Sequence, residues 1–361
     1  MGEPLKIGIV GLGNISRAYL ETLKRLPNLQ LTAVADLDGE RARAAAEAQG
    51  VTALPVGELM ASPDVDAVLN LTIPAAHAEV ALAAIAAGKH AYGEKPFSLN
   101  NAEARTVLDA AATAGVRVGC APDTVLGRGT QTARKAVDEG LIGTPVAATA
   151  FMTTPGHERW HPDPEFYYQP GGGPLLDMGP YYLSSLVHLL GPVRRVVGLS
   201  SRPRPTRTIG KGHKAGQSFP VEIDTHVTGT LEHESGALTT IVMSFDVWAA
   251  RLPRIEIYGS EGSLSVPDPN GFDGAVELWS DGEWRELPHS AGYVDAARGF
   301  GLADMAQGIA EGVPHRASAE LAAHVLDVME SLLRAGQERT AVEIESTCDR
   351  PELVPLGAQF S

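Results

Sequence analysis

The run Leu5 to Val10 is β-rich and passes at once into Gly11-Leu12-Gly13-Asn14-Ile15-Ser16. Ala18 to Leu26 then reads as a helix, ended by Pro27. Strand, glycine turn and helix in succession form the context that a dinucleotide fingerprint requires. Gly11 allows the tight turn, and Gly13 lets backbone N–H groups approach a pyrophosphate at the helix N-terminus. Asn14 and Ile15 complete the expected cofactor-binding turn. Ser16 stands where the pattern has its third glycine, and its small side chain still permits close helix–strand packing. A second strand, Leu29 to Ala35, ends in Asp36, 23 residues after Gly13. A carboxylate near that spacing accepts hydrogen bonds from ribose hydroxyls and repels a 2′-phosphate, which favours NAD over NADP. Arg41 and Arg43, just beyond, soften that preference.

The alternation continues. Arg41–Gln49, Val56–Met60, Ala75–Ala87 and Ala102–Ala114 read as helices. Asp66–Leu71, Lys89–Tyr92 and Val116–Cys120 read as strands. Such alternation predicts an α/β fold with a parallel sheet wound on both faces. A lone Gly-x-Gly is weak evidence, whereas the same motif at the head of five β–α units is strong.

The chain has 361 residues, enough for two ordinary domains. Its net charge of −15 disfavours a nucleic-acid partner, because phosphate contacts need a basic face. It also disfavours docking on anionic membranes. Cys120 and Cys348 are the only cysteines, so a reducing, cytoplasmic compartment is expected. Met1 to Lys6 has no signal-peptide pattern, and no apolar run approaches the roughly 20 residues that span a bilayer.

Three further motifs occur in order. Thr72-x-Pro74-x-x-His77 follows one strand, and Gly93-Glu94-Lys95-Pro96 follows the next. Gly171-Gly172-Gly173-x-Leu175-x-Asp177-x-Gly179 is the third. Together they resemble the glucose–fructose oxidoreductase/inositol dehydrogenase family (Gfo/Idh/MocA), across nearly the whole chain. The resemblance implies an N-terminal Rossmann domain and a C-terminal α/β domain with a large, open, mostly antiparallel sheet. The expected division is 1–122, 123–340 and a tail, 341–361. It also implies NAD(P)-dependent hydride transfer at a carbinol or carbonyl carbon of a sugar, polyol, cyclitol or glycoside. A homodimer or homotetramer through the open sheet is implied as well. The same fold also serves non-catalytic dinucleotide-binding sensors, the alternative reading; intact Lys95 and Asp177 favour an enzyme.

Carried over from the family, Lys95 reaches the reacting hydroxyl, and a cis Pro96 would aim it. Glu94 orients the nicotinamide, while Thr72, Pro74 and His77 line the cofactor side. For His77, bracing the helix it opens is favoured over touching the nicotinamide. Asp177 binds substrate and supports the acid/base. Most relatives have a histidine four residues later, where this chain has Tyr181. On a helix Asp177 and Tyr181 share one face; the plain alternative is a capped helix with a packed Tyr. A tyrosine near ~10 is mostly protonated at neutral pH, whereas a histidine near ~6.5 is not. Either Lys95 lowers the Tyr181 pKa, or Lys95 is itself the base; both readings stand.

Asp123, at the end of a strand, is expected to meet a substrate hydroxyl or to cap a helix. The helix it precedes is expected over Val125–Gly140. Trp160 and His161, in an aromatic stretch ahead of the glycine turn, are candidates for a sugar platform. His157 and His161 lie four apart, but no third ligand matches, and no metal is expected. The Gly-, Pro- and basic-rich segment Arg202–Phe219 reads as a solvated excursion ahead of an antiparallel meander, Val221 to Leu287.

Overall fold

A computed structural model describes residues 3–360, in two compact units. Among the described residues the first comprises 3–127, 292–326 and 354–360; the second comprises 128–291 and 327–353. This differs from the expected division at residues 122 and 340. The chain re-enters the first unit twice, because apolar residues of 292–326 and 354–360 belong to its core.

Unit one is built on six parallel strands: β1 (Leu5–Val10), β2 (Leu29–Ala35), β3 (Thr52–Ala53), β4 (Ala67–Asn70), β5 (His90–Gly93) and β6 (Val118–Cys120). Their order is β3-β2-β1-β4-β5-β6. Every residue of β4 is buried, as a central strand covered on both faces requires. The sequence pattern passed over β3, whose two residues are too few to show a period. The connecting helices are α1 (Ser16–Leu23), α2 (Gly39–Gln49), α3 (Val56–Ala61), α4 (His77–Ala86) and α5 (Asn101–Ala114). Asp38 caps α2 by accepting the N–H groups of Glu40 and Arg41. Asn100 caps α5 through the Glu103 N–H, while Glu103 accepts the Leu99 N–H. Strand order reverses between β1 and β4, and in open α/β sheets the crevice at such a point receives ligands.

Unit two holds α6 (Arg128–Asp138), β7 (Pro145–Thr153), α7 (Pro174–Leu190), β8 (Val193–Ser201), β9 (Thr206–Thr208), β10 (Ser218–Pro220), β11 (His226–His233), β12 (Leu238–Ser244), β13 (Ile255–Gly259), β14 (Ser263–Val266), β15 (Val276–Ser280) and β16 (Glu283–Leu287). The helix expected from Val125 to Gly140 is a short 3-10 turn, Thr124–Leu126, followed by α6. Next in the chain, α8 (Phe300–Glu311) lies in unit one. There Phe300, Leu302 and Met305 join Ile7, Ile9, Leu69, Tyr92 and the tail residue Phe360 in one core. After α9 (Ala319–Glu338), β17 (Val342–Glu343) closes a nine-stranded sheet ordered β16-β15-β14-β13-β7-β12-β11-β8-β17. The expected meander is interrupted. β7 inserts between β12 and β13 and pairs parallel with β12 and antiparallel with β13. Strand signals are local, whereas a pairing between residues about 90 apart leaves no mark in the sequence.

The central strands of the sheet alternate between a covered and an open face. Ala148, Ala150, Met152, Ile241, Met243, Ile255 and Ile257 are buried on its covered face. Its other face carries Val197, Leu199, Thr230 and Thr240 in register across β8, β11 and β12. Arg202–Phe219 is no solvated loop: β9 and β10 pair as an antiparallel hairpin, and Arg207 at its centre is buried. Among the described residues no helix is long and apolar enough to cross a membrane.

Candidate functional site

The cofactor side of unit one is built from the loops after β1, β2, β4 and β5. Gly11 adopts φ +96°, and a Cβ there would lie 2.7 Å from the backbone of Leu71. Only glycine lets this turn press against the end of β4. A Cβ added at Gly13 would meet nothing within 4 Å. α1 begins behind this turn with no side-chain cap and no acid in its first turn. Its N-terminal dipole is thus left for an anion, and the residues fit a dinucleotide pyrophosphate. An open cleft continues from Gly13 and Asn14 along Arg17 to Arg41.

Asp36 accepts the Leu12 N–H at 2.7 Å and the Asp38 N–H at 2.8 Å. Arg41 lies 3.3 Å from Asp36 and 3.4 Å from Asp38. Burial would raise the Asp36 pKa. The two N–H bonds and the Arg41 charge outweigh it and hold the carboxyl below its usual range. Asp36 therefore staples the glycine turn to the end of β2. Arg41, already shared between two carboxylates, is a poor partner for a 2′-phosphate.

The loop after β4 is held by a residue that the sequence reading passed over. Asn70 accepts the Thr72 hydroxyl at 2.6 Å and donates to the His77 carbonyl at 3.0 Å. A single polar residue closing the apolar run Ala67–Leu69 was its signal. His77 is buried, with Nδ1 2.6 Å from the Pro96 carbonyl and Nε2 3.1 Å from the Thr72 carbonyl. It ties the Thr72–Pro74 loop to the Glu94-Lys95-Pro96 loop at the start of α4. Pro74 opens a 3-10 turn ahead of α4, and the Lys95–Pro96 bond is cis. Glu94 is buried at the end of β5. Its Oε1 accepts the Tyr19 hydroxyl at 2.8 Å, its Oε2 accepts the Lys95 N–H at 3.1 Å, and Arg298 lies 3.8 Å away. Burial and the Glu94 charge push the Tyr19 phenol well up, so it stays a donor. Neither Tyr19 nor Arg298 carries a sequence signal beyond its place on a helix or in a turn.

Asp123 is fully buried and accepts the N–H groups of Gly299 at 2.7 Å and Gly301 at 3.2 Å. It caps α8, so the substrate-hydroxyl expectation is corrected: a carboxylate with no exposed surface offers nothing to a substrate. Burial raises its pKa to about 6, although the Gly301 N–H, the Arg298 charge and the Gly299 N–H all oppose the rise.

In unit two, Gly173 stands at φ +97° directly before α7, and Pro174 occupies the first helical position. The Gly173 N–H donates to the Tyr167 carbonyl at 2.8 Å, which fixes the glycine turn against the aromatic loop. Asp177 lies in the first turn of α7, and Tyr181, 4 % exposed, lies one turn further on. His157 Nε2 is 3.0 Å from Asp177 Oδ2. With its Nδ1 buried and unpartnered, His157 reads as the Nε2–H tautomer donating to the carboxylate. The sequence does not pair His157 with Asp177, because a carboxylate twenty residues downstream gives no spacing signal. Among the described residues no group of three or more His, Cys, Asp or Glu could hold a metal.

Trp160 is half exposed, and His157 and His161 stand edge-on to it at 5.2 and 5.4 Å. His161 Nδ1 accepts the Asp163 N–H at 3.0 Å. Beneath this loop lies a buried charge network. Arg207 reaches Glu158 at 2.9 Å and Asp246 at 2.8 Å, and also the carbonyls of Pro155 and Phe245. Tyr168 donates to Glu158, and its phenol is pushed up by burial and by that carboxylate.

Residues 5–121 match the model of an oxidoreductase family with an NAD-binding Rossmann fold, and residues 130–265 match the GFO/IDH/MocA C-terminal domain. A myo-inositol 2-dehydrogenase of Thermotoga maritima is 30% identical over 72% of this chain and 74% of its own. A 1,5-anhydro-D-fructose reductase of Ensifer adhaerens is 31% identical over 71% and 74%. An NAD-binding oxidoreductase from Klebsiella pneumoniae, solved by crystallography, superposes with a TM-score of 0.81 at 25% identity, covering 94% of this chain and 99% of its own. With residues 5–121 and 130–265 both matched and a relative 30% identical over 72% of this chain, the chain belongs to the Gfo/Idh/MocA family of NAD-dependent oxidoreductases.

Proposed function

We propose that this oxidoreductase acts on a carbinol or carbonyl carbon of a carbohydrate or cyclitol, with Lys95, Asp177 and Tyr181 as its acid–base residues. NAD, when bound, supplies the hydride acceptor or donor. The single observation that carries the reading is the Asp177 carboxylate, held by His157 at 3.0 Å within an aromatic loop. A carboxylate beside exposed aromatic rings suits a ligand that presents hydroxyls and C–H faces together. The relatives named above, an inositol dehydrogenase and an anhydrofructose reductase, support the same class.

Lys95 holds the reacting oxygen and polarises it. Tyr181 exchanges the hydroxyl proton, directly or through Lys95. Asp177 orients a substrate hydroxyl, and His157 keeps that carboxylate in one rotamer. Gly11, Gly13, Asn14, Ile15 and Asp36 bind the dinucleotide, with Thr72, Pro74, His77 and Glu94 lining its other end. Trp160 and His161 contact substrate. The test is an NAD+ and NADP+ reduction screen over monosaccharides, inositols and glycosides, followed by Lys95→Met and Tyr181→Phe with NAD binding measured in parallel. Loss of turnover with intact NAD binding is expected; wild-type rates in both variants would sink the assignment.

The outer face of the nine-stranded sheet supports self-association into a dimer or tetramer. Val197, Leu199 and Leu238 are each about half exposed there, more apolar surface than a solvated face needs. Light scattering on Val197→Lys, with a lower mass expected, tests it. Both cysteines are thiols, which supports a reducing, cytoplasmic setting.

A further inference from the structure

Beyond His157, the partner of Asp177, the aromatic loop continues in Tyr167 and Phe166. His157, on Asp177, stands 4.5 Å from Tyr167, and Tyr167 stands 4.1 Å from Phe166. Exposure rises along this row: His157 is 9% exposed and Phe166 53%. A pyranose ring is roughly 5 Å across, so a sugar seated at Asp177 and His157 leaves Phe166 uncovered.

The platform is also braced in a way that a solvated loop does not need. The β9–β10 hairpin clamps it from beneath, with Arg207 on Glu158, and the Gly210 N–H donating to the Glu158 carbonyl at 2.7 Å. At the outer end Lys214 bridges Asp163 at 2.8 Å and Glu165 at 2.9 Å. Lys214 thus offsets one of the two acidic charges, the group keeps a net negative charge, and the surface they frame is carbon-faced. Braced, half-exposed aromatic rings with no excess of positive charge beside them suit the C–H face of an uncharged ring.

From this geometry we infer a second-ring subsite on Phe166 and Tyr167, which makes the preferred substrate a neutral two-ring glycoside rather than a free monosaccharide. The inference rests on the carbohydrate reading of Asp177 given above. It differs from a sugar-nucleotide site, which needs a cluster of cations for a diphosphate: here Lys214 is held by two carboxylates, and Arg159 lies over the Trp248 ring at 4.3 Å.

The experiment compares glucose, methyl glucoside, cellobiose, maltose and a dTDP-sugar. Both NAD+ reduction and calorimetric binding to the NADH-loaded protein are read, for the parent and for Phe166→Ala. The subsite requires a two-ring glycoside to exceed its one-ring counterpart by about tenfold in kcat/KM or affinity, the effect of one well-covered ring face. Phe166→Ala must collapse that ratio through KM or Kd, leaving the one-ring constants and kcat within about twofold. A ratio near one, a proportional loss on both substrate sizes in Phe166→Ala, or tighter binding of the dTDP-sugar would overturn it. If nothing in the panel is oxidised, the catalytic reading fails by itself, and the Phe166-dependent difference in binding still decides the subsite.

Discussion

Replacing Arg207 by Met should destabilise unit two by about 3 kcal/mol, near the lower end of the ~3–5 kcal/mol seen when one partner of a buried ion pair is removed. The Arg207 side chain is 1% exposed, and its two carboxylates, Glu158 and Asp246, are 6% and 11% exposed. Asp246 would not be stranded, since it keeps Arg204 at 3.0 Å and the Thr225 hydroxyl at 2.6 Å. Glu158 would lose its ion pair with Arg207 and keep the Tyr168 hydroxyl. The penalty is therefore set by one buried carboxylate rather than two. For a unit of this size, a melting midpoint falls by about 2–4 °C per kcal/mol, so calorimetry should record a drop of about 6–12 °C. Arg207→Lys should recover part of the loss, because an ammonium restores the charge but not the planar fork. Glu158→Gln in the Arg207→Met background should recover more, giving a coupling energy of about 1–2 kcal/mol in a double-mutant cycle. NAD affinity should stay within twofold, since every expected NAD contact lies in unit one. A midpoint within about 2 °C of the parent, or two losses that simply add, would refute the view that this buried network holds the aromatic loop.

Asp123→Asn should flatten the acid side of the stability profile. The folded carboxyl titrates near 6 and the unfolded one near ~3.9, so the folded state binds the extra proton between those values. Its contribution is full below ~3.9 and is lost as pH rises through 6, leaving a cost of roughly 3 kcal/mol at neutral pH. The Asn variant, which can still accept the Gly299 N–H, should match or exceed the parent melting midpoint at pH 7.5; an unchanged slope between pH 4 and 6 would contradict this. Asp36→Ser removes the staple on the Leu12 N–H and releases Arg41. NAD should bind at least about tenfold more weakly and the NAD/NADP affinity ratio should fall, read by calorimetry with both dinucleotides; an unchanged ratio counts against the role given to Asp36. His157→Asn should lower kcat by about tenfold, the worth of one hydrogen bond to a charged group, with KM changed by less than threefold. A wild-type kcat would remove His157 from the mechanism.

What the sequence disclosed was whatever it encodes locally. The six-residue run ahead of Gly11, the Pro and Gly stops, and the acid closing β2 are all short-range signals. They place the parallel sheet and its phosphate turn to within a few residues. Asp36, Glu94 and Asp177 stood out as acids in recognisable motifs. Their partners did not, because Tyr19 lies 75 residues from Glu94 and Asp123 lies 176 residues from Gly299. Arg207 is the sharpest case. In sequence it sits among Gly, Pro and Lys, which is the composition of a solvated loop. Only the pairing of β9 with β10 and the burial of Glu158 turn it inward.

The same distinction bears on Tyr181. Along α7 the chain lacks the histidine that the family motif leads one to expect four residues after Asp177, and the motif alone therefore suggests a site without imidazole. The fold supplies one from elsewhere. His157 is brought to Asp177 by a loop whose shape depends on the Gly173 N–H, the Tyr168 hydroxyl on the His157 N–H at 3.0 Å, and the buried Arg207. An imidazole so held donates to the carboxylate and is packed by Phe245 and Tyr167, at 4.3 and 4.5 Å. It fixes Asp177 rather than shuttling protons in solvent, so on the proposed assignment proton exchange falls to Tyr181 and Lys95. A tyrosine at position 181 is then compatible with catalysis, because orienting the carboxylate and moving the proton fall to different side chains.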